Sequence, residues 1–130
     1  MELPEFAPGL SARVELTVTD ADTAQYFGSG DVPVLGTPRL LALAEAATVA
    51  ATARTIPGGV TTVGSRADVD HRTPVPVGRR VAAQATLTKV DGPRLLFEVT
   101  VNDGETLVAE VRIERIVVDR QLFIARALGD

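Results

Sequence analysis

Three side chains in this sequence have the types needed for acid–base and nucleophilic chemistry: the hydroxyl of Thr37, the carboxylate of Glu45 and the imidazole of His71. His71 is the one histidine of the chain, and histidine is the side chain whose ordinary pKa lies nearest to neutral pH. Such a set provides a nucleophile or water-positioning group, a second acid or base, and a proton carrier, which is the minimum for acyl transfer. A free backbone N–H at Gly64 could polarise a carbonyl.

Each of these residues also has an ordinary structural interpretation. Thr37 is expected to cap a helix whose first residue is Pro38. Glu45 could face solvent, as most glutamates do. A lone histidine is more often exposed or structural than catalytic, and Gly64 could mark a β-bulge or a close approach of two backbones. The elements that carry these residues therefore decide how much the combination means.

The central element is predicted over residues 36–54, GTPRLLALAEAATVAATAR. Leu and Ala, the best helix formers, dominate it, and Pro57 and the glycines after it end it. The helix would be apolar around most of its circumference, so we expect other structure to wrap it. Thr37 and Glu45 would lie about 12 Å apart along its axis. A substrate between them, or a second subunit, would be needed to bring them into one site.

The rest of the chain is predicted to form strands. Residues 12–19 alternate between apolar and polar, and Asp20 or Asp22 is expected to cap a short helical turn before a loop over residues 28–36. Four further strands are predicted over residues 60–72, 79–90, 95–102 and 106–118. The tail from Asp119 to Asp130 is expected to be a strand end or a short helical piece.

An antiparallel meander that follows one long helix excludes a doubly wound sheet, which needs alternating strands and helices. The sequence therefore predicts an α+β fold, the hot-dog fold, in which an antiparallel sheet curls around one central helix. We expect a single domain over residues 1–130. Because this arrangement leaves an edge strand and an incompletely covered helix, it also favours a homodimer.

The composition limits the kinds of partner. The net charge at pH 7 is −4 and aromatic residues make up 4% of the chain, which argues against nucleic acid. The absence of cysteine excludes disulfides and thiolate metal sites. No segment predicts a signal peptide or a membrane span. We therefore expect a cytoplasmic protein with no membrane partner.

The sequence resembles the fluoroacetyl-CoA thioesterase-like family of the hot-dog superfamily, from the first predicted strand to about Val118. The features that carry the resemblance are the Gly36-Thr37 helix entry, Glu45, Gly64, His71 in VGSRADVDHRTPVPVG, and the corner formed by Pro74, Pro76 and Gly78. The same residue types at these spacings form the catalytic set of the family.

The resemblance implies hydrolysis of a small acyl-CoA thioester to a carboxylic acid and CoA. In that interpretation Thr37 orients or attacks the thioester, Glu45 is a base or an acyl-accepting carboxylate, and His71 deprotonates water or an acidic α-carbon. The N–H of Gly64 would hold the carbonyl oxygen. Whether Thr37 or Glu45 is the nucleophile stays open. The resemblance also implies a homodimer with its site near the subunit interface, and neither a metal ion nor a tightly bound cofactor.

One departure from the family concerns substrate choice. The fluoroacetyl-specific enzyme covers its site with a phenylalanine-rich lid before the catalytic threonine, whereas GSGDVPVLG over residues 28–36 holds no aromatic residue. Tyr26 and Phe27 lie further upstream. Because a hydrophobic lid excludes water and selects among small acyl groups, we expect a related acyl-CoA rather than fluoroacetyl-CoA.

Arginines near the predicted site are candidates for contact with CoA phosphates, since the guanidinium group suits phosphate. They are Arg66, Arg72, Arg79 and Arg80. Ordinary surface charge is the alternative for each of them. Arg79 and Arg80, next to Gly78, are the preferred pair.

Three other functions remain as alternatives. The first is a non-catalytic acyl-CoA-binding protein, a sensor or a sequestering factor. It would be favoured if Glu45 or His71 faced solvent, or if both lay far from a shared pocket. The second is an enoyl-CoA hydratase, a hot-dog class whose motif is an Asp-x-x-x-x-His pairing at the start of the buried helix. The segment GTPRLLALAEA holds no histidine, which counts against it. The third is a structural dimer module without a polar pocket.

Overall fold

The computed structural model describes residues 1–129 as one five-stranded antiparallel sheet that curls around a central helix. The strands lie in the order β1-β3-β4-β5-β2, so β1 and β2 form the edges. The strands are β1 (Ser11–Thr17), β2 (Val60–His71), β3 (Arg80–Asp91), β4 (Arg94–Asp103) and β5 (Thr106–Asp119). The helices are α1 (Ala24–Phe27), α2 (Thr37–Thr52) and α3 (Arg120–Ala127), and a 3-10 turn spans Asp20–Asp22. The predicted hot-dog α+β fold is confirmed.

Helix α2 is held in the sheet by its apolar residues. Leu40, Ala44 and Ala47 are fully buried, and they pack against inward-facing strand residues such as Leu87, Leu95 and Phe97. The helix lies mainly against β1 and β3 and contacts β2 at few points. The inner face of β2 is therefore poorly covered, and residues 64–68 of this edge strand are all exposed.

Two predicted details of the helices need correction. Gly36, and not Thr37, is the N-cap of α2, and Thr37 and Pro38 are its first two residues. The hydroxyl of Thr37 does not cap the helix because it bonds instead to a side chain of the sheet, as described below. The short helix α1 is capped by Thr23, whose side chain accepts a hydrogen bond from Tyr26 N, and not by an aspartate.

Strand β2 runs through Gly64 and is not interrupted there. Its pairing with β5 shifts between Gly64 and Arg66, so Ser65 is the extra residue of a β-bulge. The last described element is helix α3, whose N-cap Asp119 accepts a hydrogen bond from Leu122 N; Asp130, the end of the predicted tail, lies outside the described residues. Within residues 1–129, no helix combines the length and the apolar character that crossing a membrane requires.

Candidate active site

Thr37 and His71 meet at one end of the sheet. Thr37 is the first residue of α2 and His71 is the last residue of β2, and Thr37 Oγ1 lies 2.8 Å from His71 Nδ1. The two residues are 34 positions apart in the sequence. The fold therefore joins the predicted hydroxyl and the predicted imidazole directly.

The backbone beyond His71 is fixed to β5. The N–H groups of Arg72 and Thr73 both donate to Val108 O, at 2.8 and 3.2 Å. The hydroxyl of Thr73 donates to Leu107 O at 2.8 Å. These bonds hold the end of β2 in place, so the imidazole is presented to Thr37 from a rigid strand end.

The surroundings of His71 favour its neutral form. Burial lowers the pKa of His71 below its ordinary value, and a hydrogen bond with the backbone of Thr73 offsets part of this effect. Nε2 is buried and has no hydrogen-bond partner among residues 1–129. A neutral imidazole has one N–H donor and one nitrogen acceptor. His71 can therefore take a proton from a neighbouring hydroxyl or water.

Glu45 forms an ion pair with an arginine that lies inside the fold. Arg115 Nη1 lies 3.2 Å from Glu45 Oε2, with the Arg115 side chain 8% exposed and the Glu45 side chain 41% exposed. Arg115 also donates from Nε to Thr62 Oγ1 at 2.9 Å and from Nη2 to Thr62 O at 3.0 Å. Burial lowers the pKa of Arg115, while Glu45 works to raise it. The carboxylate is thus held by a cation that is itself fixed to β2.

Arg115 was missed by the sequence analysis, although a signal for it exists. The alternation of β5 places Leu107, Ala109, Val111 and Ile113 on one face. Arg115 continues the same period, and it is 6% exposed. A charged residue at an inward-facing strand position needs a partner of opposite charge, because burying an unpaired charge is costly. The alternation alone would therefore have pointed to Arg115 and to a carboxylate opposite it.

Gly64 gives the carboxylate of Glu45 its space. A Cβ on residue 64 would lie 2.5 Å from Glu45 Oε2 and 3.5 Å from Arg115 Nη1. The structure therefore supplies a steric reason for glycine at this position. The proposed hydrogen bond from its backbone N–H to a substrate carbonyl stays a prediction.

A small cavity lies beside this ion pair. Its volume is about 230 Å³. The lining residues are Glu45, Gly64, Ser65, Arg66, Ala67 and Ile113. The polar side chains of Glu45, Ser65 and Arg66 line it together with the apolar side chains of Ala67 and Ile113. Such a mixed lining suits a short acyl group with a polar end.

The predicted three-residue site is divided in one chain. Among residues 1–129, no hydrogen bond joins Glu45 to Thr37 or to His71. Along the helix axis, Thr37 and Glu45 are separated by about 12 Å. One half of the site therefore holds the hydroxyl and the imidazole, and the other half holds the carboxylate, its arginine and the glycine.

The arginines predicted to bind CoA phosphates are mostly engaged with carboxylates. Arg79 donates to both carboxylate oxygens of Asp103, at 3.0 and 2.9 Å. Arg80 lies 3.4 Å from Glu15 and is largely exposed. Arg72 pairs with Asp70 and Glu110. Arg66 alone of the four lines the cavity at Glu45. The phosphate contacts of Arg79 and Arg80 stay predictions.

No three His, Asp or Glu side chains within residues 1–129 are grouped so that they could hold a metal ion. The expectation that the protein uses no metal or cofactor is not tested by this and stays a prediction.

The sheet order and the long central helix are those of the hot-dog fold, and the match to a family model gives the class of protein, the acyl-CoA thioesterases of that fold. Residues 18–121 match the model of the family described as "FlK: Fluoroacetyl-CoA-specific thioesterase". The chain belongs to this family, and the predicted family and the predicted acyl-CoA thioesterase class are confirmed. A comparison with curated proteins found no match.

Solved structures support the same assignment. The fluoroacetyl-CoA thioesterase FlK is similar over 97% of this chain and 98% of its own, with 25% identity and a TM-score of 0.89. A variant of FlK in complex with fluoroacetate and CoA matches with 26% identity and a TM-score of 0.82, over 91% of this chain and 99% of its own. A hot-dog-like protein from Thermanaerovibrio acidaminovorans has 25% identity and a TM-score of 0.87, over 95% and 92% of the two chains.

Proposed function

We propose that the protein hydrolyses a short acyl-CoA thioester to a carboxylic acid and free CoA. The observation that carries the proposal is the 2.8 Å contact between Thr37 Oγ1 and His71 Nδ1 in a chain of a thioesterase family. The cavity beside Glu45, at about 230 Å³, fits a small acyl group better than a long chain. No aromatic residue lies in the loop over residues 28–36, which supports an acyl group other than fluoroacetyl.

In the proposed reaction, the C–S bond of the thioester breaks and a C–O bond to an oxygen from water forms. His71 takes a proton from the Thr37 hydroxyl or from water, and the thiolate of CoA receives a proton as it leaves. Glu45 acts as a second base or as an acyl acceptor, and the Gly64 N–H stabilises the negative charge on the carbonyl oxygen. Thr37 and Glu45 both remain candidates for the nucleophile. Water is the only co-reactant.

We further propose that two chains complete each site by pairing their β2 edges. A two-fold axis at Asp68 would set Arg66 opposite the partner subunit's Asp70. Because Ser65 is the extra residue of the bulge, Gly64 would then lie opposite the partner subunit's His71. The exposed stretch over residues 64–68 supports this pairing, since an unpaired strand edge favours addition of another strand. The two halves of the divided site would meet across the interface.

A non-catalytic acyl-CoA-binding protein is the second candidate. The observation in its favour is that Glu45 is partly exposed and is tied to Arg115, with no hydrogen bond to the Thr37–His71 pair within residues 1–129. If two chains do not join the halves, a bound thioester would meet the groups of only one half. The structural dimer module is disfavoured, because a polar cavity lies next to the proposed interface.

The test is the release of free thiol from a panel of acetyl-, propionyl- and fluoroacetyl-CoA. Wild type is compared with Glu45→Ala and His71→Ala, and Glu98→Gln on the outer face of β4 is the control. Turnover of any member that is lost in both site variants and kept in the control supports hydrolysis. Binding of the esters by calorimetry without turnover would support the binding protein instead.

A further inference from the structure

The carboxylate of Asp22 is buried and bound by three donors. It accepts hydrogen bonds from Thr19 N at 2.7 Å, from Thr19 Oγ1 at 2.9 Å and from Arg39 Nε at 2.9 Å. Burial works to raise the pKa of Asp22, but the hydrogen bonds from Thr19 and Arg39 outweigh it and hold the pKa below its ordinary value. Asp22 is therefore a charged and well-fixed group.

Asp22 also holds the start of α2 through its backbone. Its carbonyl oxygen accepts a hydrogen bond from Gly36 N at 2.9 Å. Gly36 packs so closely on the preceding segment that an added Cβ would lie 3.1 Å from backbone atoms of Ala24. Asp22 therefore contacts both sides of Thr37. Its main chain binds Gly36, the residue before Thr37, and its side chain binds Arg39, two residues after Thr37.

The position of Arg39 is not explained by the helix itself. It is the third residue of α2, in a first turn that holds no acidic residue. A cation in the first turn of a helix is unfavourable, because the N-terminal end of the helix dipole is positive. The ion pair with Asp22 at 2.9 Å compensates for this placement. The contact between the two side chains, rather than helix propensity, accounts for an arginine here.

We infer that Asp22 and Arg39 are a positioning pair, which fixes the first turn of α2 so that Thr37 Oγ1 stays within hydrogen-bond distance of His71 Nδ1. Neither residue makes a hydrogen bond to Thr37 or His71 side chains, so the pair acts through the backbone between residues 36 and 39. The other side of the contact is already fixed, because β5 holds the residues after His71. The consequence for catalysis rests on the proposed function, whereas the effect on the Thr37–His71 hydrogen bond does not.

The test uses the single histidine of the chain as a probe. In 15N-labelled protein, the two ring nitrogens of His71 give one unambiguous pair of signals that report tautomer and hydrogen bonding. Thr37→Val supplies the reference for a lost bond. We expect Asp22→Asn and Arg39→Gln to move the Nδ1 signal toward that reference, and Arg39→Lys to keep it near wild type. Arg39 is partly exposed, so its variants are expected to fold.

A matched control separates positioning from general stability. Asp119→Ala removes another aspartate that bonds to the start of a helix, at α3, and it is expected to lower stability through the lost N-cap without moving the His71 signals. On an acyl-CoA that is turned over, kcat of Arg39→Gln should fall roughly 10- to 100-fold with KM nearly unchanged.

Three results would overturn or separate the claims. Folded Asp22→Asn and Arg39→Gln proteins with wild-type His71 signals would overturn the inference, provided that Thr37→Val moves them. Unchanged signals in Thr37→Val would overturn it as well, because the hydrogen bond would then be absent in solution. The expected signal shifts without turnover of any ester would leave the positioning pair standing and remove the proposed function.

Discussion

The carboxylate of Glu45 lies against Gly64, in the space that a side chain on residue 64 would need. A Cβ on that residue would lie 2.5 Å from Glu45 Oε2. The side chain on α2 and the missing side chain on β2 therefore determine each other. A side chain at residue 64 would require the end of the Glu45 side chain to move, and the oxygen that must move lies 3.2 Å from the buried Arg115.

Gly64→Ala is expected to lower kcat roughly 10- to 100-fold, because the displaced carboxylate loses its alignment. Thiol release measures kcat, and thermal unfolding checks that the variant is folded. Gly58→Ala is the matched control, since Gly58 has open space around its Cβ position and no left-handed φ. Wild-type activity in Gly64→Ala would show that the carboxylate position does not matter.

Arg115→Met is expected to destabilise the protein by about 1–3 kcal/mol, because Thr62 loses two charge-assisted donors in a buried site. The Glu45 side chain is 41% exposed, so water can solvate its carboxylate once Arg115 is gone. The loss of this ion pair therefore adds little to the destabilisation. Urea unfolding gives the free energy. Arg94→Met, which removes a 3.5 Å contact between the exposed Arg94 and Glu114, is the control. Because Glu114 keeps its hydrogen bond from Ser65, stability should change by less than about 0.5 kcal/mol.

The lowered pKa of His71 predicts a pH dependence of stability. In the unfolded chain the imidazole has its ordinary pKa of about 6.5, and in the folded protein the pKa is lower. The unfolded state therefore binds more protons between the two values. The contribution of His71 is fully present above about pH 6.5 and is lost as the pH falls through the folded-state pKa. Urea unfolding at several pH values should show this slope in wild type and lose it in His71→Gln.

The shared site predicts complementation between two inactive variants. His71→Ala and Glu45→Ala are mixed after reversible dissociation, so that half of the dimers carry one copy of each. If the site spans two chains, each mixed dimer has one complete site, and activity returns to about a quarter of wild type. If each site lies within one chain, the mixture stays inactive. The corresponding mixture of Thr37→Val with His71→Ala should stay inactive in both cases, because these residues share a chain.

The helices and strands could be predicted because each depends on residues that are close together in the sequence. The Ala- and Leu-rich segment gave α2, and alternation gave the strands. The cap of α2 was misplaced by one residue because the hydroxyl of Thr37 has a stronger partner 34 positions away, which no local rule can detect.

The candidate site was predicted as a set of residue types and not as an arrangement. Sequence spacing along a helix already separated Thr37 from Glu45, and the structure shows the separation as two distinct contacts. The role of Gly64 depends on how closely α2 approaches β2, which is a tertiary property. The pairing of Arg79 with Asp103 likewise joins the residue before β3 to the last residue of β4, a contact that depends on how the two strands pair.

The bulge at Ser65 also explains why Gly64 and His71 face the same side of the sheet. Gly64 and His71 are seven positions apart, and because seven is odd, a regular strand would turn them to opposite faces. Both face α2, because Ser65 is left out of the register with β5. Deleting Ser65, the one residue between Gly64 and Arg66, would shorten the interval to an even number of positions. A regular strand would then present the glycine and the histidine on the same face without a bulge. The interval between glycine and histidine in this sequence thus encodes an irregularity of the backbone as well as a distance.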